Sequence, residues 1–130
     1  MVENKDSLVP QVRFRGFVGE WEEQRLGDIG VIITGSTPPT SDIGNYSDNG
    51  MMWVTPTDIN GITISTTAKR LSNKGQKIAR IVPQGSILVT CIASIGKNTM
   101  VMSRASFNQQ INAVVPNESN DSYFLLLLLH

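Results

Sequence analysis

The stretch Met51–Ile59, with the sequence Met-Met-Trp-Val-Thr-Pro-Thr-Asp-Ile, is apolar for four residues and then turns abruptly polar. Bulky and β-branched side chains favour a pleated, half-buried surface, so the apolar part is predicted to form a buried strand. Pro56 has no N–H to give to a sheet and is expected to end this strand. Thr55, Thr57 and Asp58 would then form a polar tip at a sheet edge. Taken alone, the stretch also fits a core strand followed by an ordinary turn.

The bulk composition predicts one folded domain. The chain has 130 residues, of which 40% are hydrophobic and 17% are charged, which allows a packed core and argues against wholesale disorder. Residues 1–9 are expected to form a flexible leader without the features of a signal peptide. No apolar run approaches the ~20 residues that span a bilayer. Cys91 is the only cysteine, so no internal disulfide is expected and the cytoplasm is favoured.

The charges are unevenly distributed along a chain of zero net charge. Residues 1–58 carry four basic and nine acidic side chains, whereas residues 59–117 carry seven basic side chains and no acid. We call residues 59–117 the acid-free block; its cations are Lys69, Arg70, Lys74, Lys77, Arg80, Lys97 and Arg104. Such a block suggests one face that meets an anion, most plausibly a nucleic-acid backbone. The alternative is a solvated face that acids from the first half neutralise.

The remaining pattern predicts an α+β chain that is mainly β, with long loops and a few short helices. The predicted strands besides the central one are Ile29–Thr34, Ile62–Ser65, Ser86–Ile92, Thr99–Met102 and Ile111–Val115. The predicted loops and turns are Gly35–Gly50, Asn60-Gly61, Ala93–Lys97 and Phe107–Gln110. Because Asn-Gly is a strong turn signal, Ile62–Ser65 is predicted to return beside the central strand as a hairpin. Residues 10–21 are expected to lie extended on the domain.

Three helical segments are predicted. Glu22–Ile29 could form one turn that ends at Gly27, and Ser72 could cap a helix over Asn73–Ala79. Ser122–Leu129 is predicted as a helix capped near Ser119 or Asn120. This last helix is apolar on every side, so it must be buried in the domain or in a partner, or the polypeptide ends early relative to its fold.

Catalysis finds little support in the sequence. The only histidine is the terminal His130, which is a poor position for a base, and Cys91 is expected to be a buried small hydrophobe. No His/Cys cluster has zinc spacing. Gly96-Lys97 fails the Walker pattern because Cys91 and Asn98 stand where glycine and Ser/Thr should be. We therefore expect no catalytic residue, no metal and no cofactor.

DNA binding fits better, because Arg, Lys, Ser, Thr, Asn and Gln supply contacts to phosphates and to base edges. The candidate DNA-binding residues lie on predicted loops and in the acid-free block. They are Ser36, Thr37, Thr55, Thr57, Lys69, Arg70, Lys74, Lys77, Lys97, Asn98, Asn108 and Gln109. Replacing Lys74 and Lys77 is expected to weaken binding to all sequences alike, whereas replacing Asn108 or Gln109 is expected to change the preference among sequences. Asp58 is expected to tie down its own loop by hydrogen bonds.

Six short motifs in order resemble the specificity (S) subunit of type I restriction–modification systems, at its N-terminal target recognition domain. They cover about residues 10–117 and comprise Pro10–Trp21 with Leu26–Ile29, Gly35–Pro38, Trp53–Ile59, Pro83–Thr90, Ala93–Lys97 and Asn108-Gln109.

The resemblance implies a target recognition domain, a mainly β fold with a twisted sheet that reads one half of a split DNA site. It further implies that the chain carries no chemistry and helps to dock methyltransferase (M) and restriction (R) subunits on double-stranded DNA. Relative to the family pattern, residues 10–130 are expected to be a single domain that is incomplete at its C-terminus.

The alternative is a truncated S-subunit fragment that self-associates or binds proteins and binds DNA weakly. The candidate residues for that contact, including a homodimer through the last helix, are Phe124, Leu125, Leu128 and Leu129. A small enzyme is the third hypothesis, and no membrane association is expected.

Overall fold

The computed structural model describes residues 8–92 and 95–130 as two mixed β-sheets with three short helices. The strands are β1 (Gly30–Thr34), β2 (Tyr46–Val54), β3 (Thr63–Ile64), β4 (Lys69–Leu71), β5 (Ile81–Val82), β6 (Ile87–Thr90), β7 (Asn98–Val101), β8 (Ala105–Phe107) and β9 (Ile111–Pro116). The helices are α1 (Leu26–Ile29), α2 (Asn73–Ile78) and α3 (Ser122–Leu129), and single 3-10 turns span Ile43–Asn45 and Pro56–Asp58. The mainly β fold class is confirmed.

The two sheets contain five and four strands. The larger sheet has the order β1-β9-β6-β7-β3, in which only β3 and β7 are parallel; the smaller has the order β4-β2-β8-β5, in which only β2 and β8 are parallel. In the parallel pair of the smaller sheet, Met52 lies opposite Ala105 and Val54 lies opposite Phe107. Both strands therefore end at the same edge of the sheet.

The main core lies between the two sheets and contains side chains from both. It consists of Met52, Val54, Ile59, Ile64, Val82, Leu88, Val101, Ala105, Phe107, Ile111 and Ala113, with Ile33 and Val115 packed against it. Successive side chains of β9 point to opposite faces of its sheet, so this strand contributes to two clusters. Ala113 faces the main core, and Val114 faces the opposite side.

Helix α3 covers the outer face of the five-stranded sheet. Leu125 and Leu126 are buried there against Ile87 and Val114. Asp121 caps the helix, because its carboxylate accepts a hydrogen bond from the Phe124 N–H at 2.7 Å. The prediction of a helix over Ser122–Leu129 is confirmed, and its cap is Asp121, the residue after Asn120, near which the cap was predicted.

Several local predictions are confirmed. The central strand ends at Val54, before Pro56, and a strand lies at each of the other five predicted positions, with small shifts of the ends. Helix α2 begins after Ser72, whose hydroxyl accepts a hydrogen bond from the Gly75 N–H. The predicted leader is described only at residues 8–9, and the predicted turn Ala93–Lys97 only at residues 95–97; the remainder of each lies outside the described residues.

The predicted hairpin after Asn60-Gly61 is wrong. Strand β3 pairs with β7, and the antiparallel neighbour of β2 is β4, in which Lys69 lies opposite Trp53. The predicted loop Gly35–Gly50 is too long, because β2 already begins at Tyr46. The predicted loop Phe107–Gln110 overlaps the end of β8.

The N-terminal segment and Cys91 also differ from expectation. Val12, Phe14 and Phe17 are 88%, 77% and 70% exposed, so these three side chains are not buried on the domain, contrary to the expectation for residues 10–21. Trp21, at the end of this segment, does contact the domain, because its ring stacks on Phe124. Strand β6 ends at Thr90, which leaves Cys91 exposed and not buried in a strand.

Candidate nucleic-acid interface

Strand ends from both sheets meet at one edge of the molecule. Strands β2 and β8 end together there, and the Asn108 N–H donates to the Val54 carbonyl at 3.0 Å. The Ser36 N–H, just after β1, donates to the Phe107 carbonyl at 2.8 Å. Strand β9 begins beside the end of β1, where Thr34 lies opposite Asn112. We call residues 34–37, 55–58 and 108–112 the strand-end surface.

The tip after β2 is held by a carboxylate. Asp58 Oδ2 accepts hydrogen bonds from the Thr55 N–H at 2.8 Å and the Thr55 hydroxyl at 2.9 Å. Asp58 Oδ1 accepts from the Ala68 N–H at 3.0 Å, which ties the tip to the segment before β4. The prediction that Asp58 fixes its own loop by hydrogen bonds is confirmed. Thr57, exposed beside Thr55, shares a hydroxyl–hydroxyl hydrogen bond with it.

The loop after β1 is joined to the turn after β8 by two side chains. The exposed Thr37 hydroxyl donates to Gln109 Oε1, so the Gln109 carboxamide keeps its two N–H donors for another partner. By contrast, both ends of the Asn108 carboxamide are bonded to Gln110. Gln109 is therefore the more available of the two predicted amides.

Two other predicted contacts have structural partners. Ser36 accepts a hydrogen bond at its hydroxyl from the Arg80 N–H at 3.0 Å, and at its carbonyl from Trp53 Nε1 at 3.1 Å. Asn98 is 4% exposed and donates to the carbonyl of Leu129 at the end of α3. The expectation that Asn98 is a loop-surface group is wrong, because β7 begins at this residue and buries it under the helix.

The cations of the acid-free block do not lie on a single face. Arg80 and Lys97 flank the strand-end surface, because Arg80 Nη1 donates to the Thr34 carbonyl and Lys97 lies in the turn between β6 and β7. Lys69, opposite Trp53, flanks it on the other side, and its ammonium lies 5.9 Å from the centre of the Tyr46 ring. Arg104 precedes β8 and thus lies at the opposite end of that strand from Asn108.

The remaining cations are engaged or lie on α2. Arg70 donates to the Gly50 carbonyl at 3.0 Å and to the Thr66 hydroxyl at 3.1 Å. Lys74 forms an ion pair with Asp42, and this hydrogen bond is the main reason that the Asp42 pKa lies below its ordinary value of 3.8. Lys77 is exposed in the last turn of α2.

Tyr46 lies under Lys69 and is partly buried. Its hydroxyl donates to the Pro38 carbonyl at 2.6 Å, and its ring packs edge-on against Trp53 with ring centres 6.0 Å apart. Burial raises the pKa of the Tyr46 hydroxyl above its ordinary value of 10.0. These contacts hold the loop after β1 against the smaller sheet.

Arg80 lies beside the strand-end surface but was not among the candidate DNA-binding residues predicted from the sequence. It lies in the acid-free block, but no loop motif surrounds it. Arg80 lies one residue before β5, which runs antiparallel to β8 and therefore begins near the end of β8. The sequence does not show this pairing, so it could not distinguish Arg80 from the other six cations of the acid-free block.

The described residues contain no group of three or more His, Cys, Asp or Glu side chains that could hold a metal ion. Among the same residues, no helix is both long and apolar enough to cross a membrane. A concave region is lined by Glu23, Gln24, Arg25 and Asp28, which precede β1, whereas the strand-end surface follows that strand.

Comparison with known proteins identifies the family. Residues 19–130 match the model of the type I restriction modification DNA specificity domain. The chain therefore belongs to this family, and the resemblance found in its motifs is confirmed.

Two curated relatives show how much of such a protein this chain represents. The chain is 35% identical over 111 residues to the type I restriction enzyme HindI specificity subunit of Haemophilus influenzae, covering 84% of this chain and 24% of that protein. It is 32% identical over 114 residues to the MjaIX specificity subunit of Methanocaldococcus jannaschii, covering 84% of this chain and 26% of that protein. The chain thus spans about a quarter of the length of these relatives.

Solved structures support the fold. The HsdS subunit from Thermoanaerobacter tengcongensis superposes with a TM-score of 0.69 at 23% identity, covering 95% of this chain and 30% of that one. A chain from a study of complex assembly and conformational transition of the type I R-M system superposes with a TM-score of 0.66 at 24% identity, covering 82% of this chain and 26% of that one.

Proposed function

We propose that this chain is a non-catalytic DNA sequence-recognition module of a type I restriction–modification complex, which reads one half of a bipartite site. The observation that carries the proposal is the strand-end surface, where three polar segments from both sheets meet beside three cations. Membership of the DNA specificity domain family supports it. In the cell, the module would work in the cytoplasm with methyltransferase and restriction subunits.

The contacts differ in how well their positions suit this role. Of the candidate residues predicted from the sequence, those exposed on or beside the strand-end surface are Thr37, Thr57, Lys69, Lys97 and Gln109, with Thr55 half-buried among them. Hydroxyls, amides and cations of this kind contact phosphates and base edges. Ser36, Arg70, Lys74 and Asn98 have structural partners, and Lys77 lies in the last turn of α2.

Binding-site selection from random duplexes tests the proposal. We expect one short consensus, bound more tightly than a scrambled duplex of equal length. The logarithm of the affinity should fall with the logarithm of the salt concentration, with a slope of about −0.9 for each phosphate neutralised. A chain that binds no duplex at low salt, or binds all sequences equally, would contradict the proposal.

A second candidate function is self-association through α3. Leu128 is 59% exposed, and Phe124 is 37% exposed and stacks on Trp21 with ring centres 5.9 Å apart. Of the other two predicted contact residues, Leu125 is buried under the helix and Leu129 packs against the same cluster, so both serve the fold. The dimer would therefore use Phe124 and Leu128 with their exposed neighbours.

Light scattering after size exclusion tests this candidate. A concentration-dependent dimer that Leu128→Ser weakens would support it. A strict monomer at all concentrations would exclude it, and DNA recognition by such a monomer would leave the first proposal intact.

A further inference from the structure

Arg80 is a fixed cation with most of its donors free. Its backbone N–H donates to the Ser36 hydroxyl at 3.0 Å, and Nη1 donates to the Thr34 carbonyl at 2.9 Å. A guanidinium has five N–H donors, so one bond leaves four. The only ion pair among the described residues joins Lys74 to Asp42, so no carboxylate there neutralises Arg80. A held guanidinium loses less side-chain freedom when it binds an anion than a mobile lysine does.

Gln109 contacts the same short loop one residue farther along the chain. Its Oε1 accepts from the Thr37 hydroxyl, and Thr37 follows Ser36, the partner of Arg80. The two N–H donors of Gln109 are therefore its more available groups. Bidentate reading of adenine requires a donor and an acceptor from one carboxamide, and here the acceptor oxygen is already held by Thr37 through one of its two lone pairs. Donors alone suit phosphate oxygens, which only accept hydrogen bonds.

We propose that Arg80 and Gln109, which hydrogen-bond to the adjacent residues Ser36 and Thr37, form a binding site for the backbone phosphates of duplex DNA. This inference rests on the proposed function and assigns Arg80 and Gln109 a sequence-independent role: these two residues anchor the duplex while other groups of the strand-end surface read bases. It reverses the expectation that replacing Gln109 changes the preference among sequences.

Matched substitutions test the assignment, with affinities measured on a selected duplex and on a scrambled one. Arg80→Gln removes the charge while keeping a donor for the Thr34 carbonyl, and Arg104→Gln removes the same charge at the opposite end of β8. We expect Arg80→Gln to weaken both duplexes equally, by about fivefold at 0.15 M salt, and to make the salt slope less negative by about 0.9. Arg104→Gln should change the affinity less than twofold.

If Arg80→Gln does not fold, Gln109→Ala provides a second test. Gln109 is exposed, so its replacement is expected to leave the fold intact. It should weaken both duplexes by the same factor. A changed ratio between selected and scrambled duplex would overturn the inference in favour of base reading. An Arg80→Gln variant that binds like the wild type would overturn it as well.

Duplexes with a single neutral methylphosphonate locate the contact. Scanning one along the selected duplex should reveal a position that weakens the wild-type protein and no longer weakens Arg80→Gln. Equal sensitivity of both proteins at every position would contradict the phosphate site. Failure of the proposed function would be seen differently: the wild-type chain would then bind none of the unmodified duplexes.

Discussion

Asp58 stabilises the tip after the central strand, because its carboxylate accepts three hydrogen bonds. The donors are the Thr55 N–H, the Thr55 hydroxyl and the Ala68 N–H. Asp58→Ala removes them all and leaves the Thr55 N–H without its partner. We expect the free energy of unfolding to fall by about 1–2 kcal/mol, as for the loss of a helix cap, measured by urea denaturation. Asp48→Ala, which removes the same charge from an exposed position on β2, is the control and should change it by less than about 0.5 kcal/mol. Equal effects of the two substitutions would contradict this role.

Asp42 makes the stability depend on pH in a predictable direction. Lys74 and the Gly44 N–H lower the Asp42 pKa below 3.8 in the folded chain, so ionised Asp42 favours folding. This contribution is present above the ordinary pKa and is lost as the pH falls through the lowered one. We expect the difference in stability between wild type and Asp42→Asn to be largest near neutral pH, to vanish in strong acid and to shrink in high salt. A difference that grows on acidification would contradict this account.

At the scale of elements, substitutions of two helical glycines can distinguish the effect of close packing on stability from the effect of helix propensity. A Cβ on Gly75 of α2 would lie 2.1 Å from the Asn45 carbonyl oxygen, whereas one on Gly27 of α1 would meet nothing within 4 Å. Gly75→Ala should therefore destabilise the fold by about 1–3 kcal/mol despite the better helix former. Gly27→Ala should be neutral or stabilise by up to about 1 kcal/mol. Thermal unfolding of both variants checks this, and a stabilised Gly75→Ala would show that α2 does not pack against the Ile43–Asn45 turn.

Helix α3 offers a second matched pair. Leu126 is fully buried against the five-stranded sheet, and Leu128 is 59% exposed. Leu126→Ala should lower the free energy of unfolding by about 2–5 kcal/mol, and Leu128→Ala by less than about 0.5 kcal/mol. The helix propensity changes equally in both, so the difference measures burial. Similar losses would mean that α3 is not docked as described.

Local sequence patterns predicted the ends of some helices and strands but not the partner of each strand. The end of β2 before Pro56 and the start of α2 after Ser72 follow from the chemistry of one or two neighbouring residues, and both were predicted. The partner of β3 was not, because Asn60-Gly61 specifies a change of direction but not which strand receives the returning chain. The predictions for Asn98 and Cys91 were wrong because local patterns locate strand ends only approximately: β7 begins at Asn98, one residue before its predicted start, and β6 ends at Thr90, two residues before its predicted end.

At the scale of the whole molecule, the candidate site depends on strand pairing that short patterns do not encode. The motifs around Thr37, Thr55 and Asn108 were recognised separately, and the pairings of β2 with β8 and β1 with β9 bring them together. The acid-free block suggested one basic face, but its cations are divided between the strand-end surface, α2 and the far end of β8. The composition suggested a nucleic-acid partner without indicating which segments would contact it.

Hydrogen–deuterium exchange with and without the selected duplex tests the central claim most directly. The account predicts slower exchange on DNA binding at residues 34–37, 55–58 and 108–110. Residues 102–104, at the opposite end of β8 from Asn108, should exchange as in the free chain. Protection confined to that distant segment, or spread evenly over the molecule, would contradict DNA recognition by the strand-end surface.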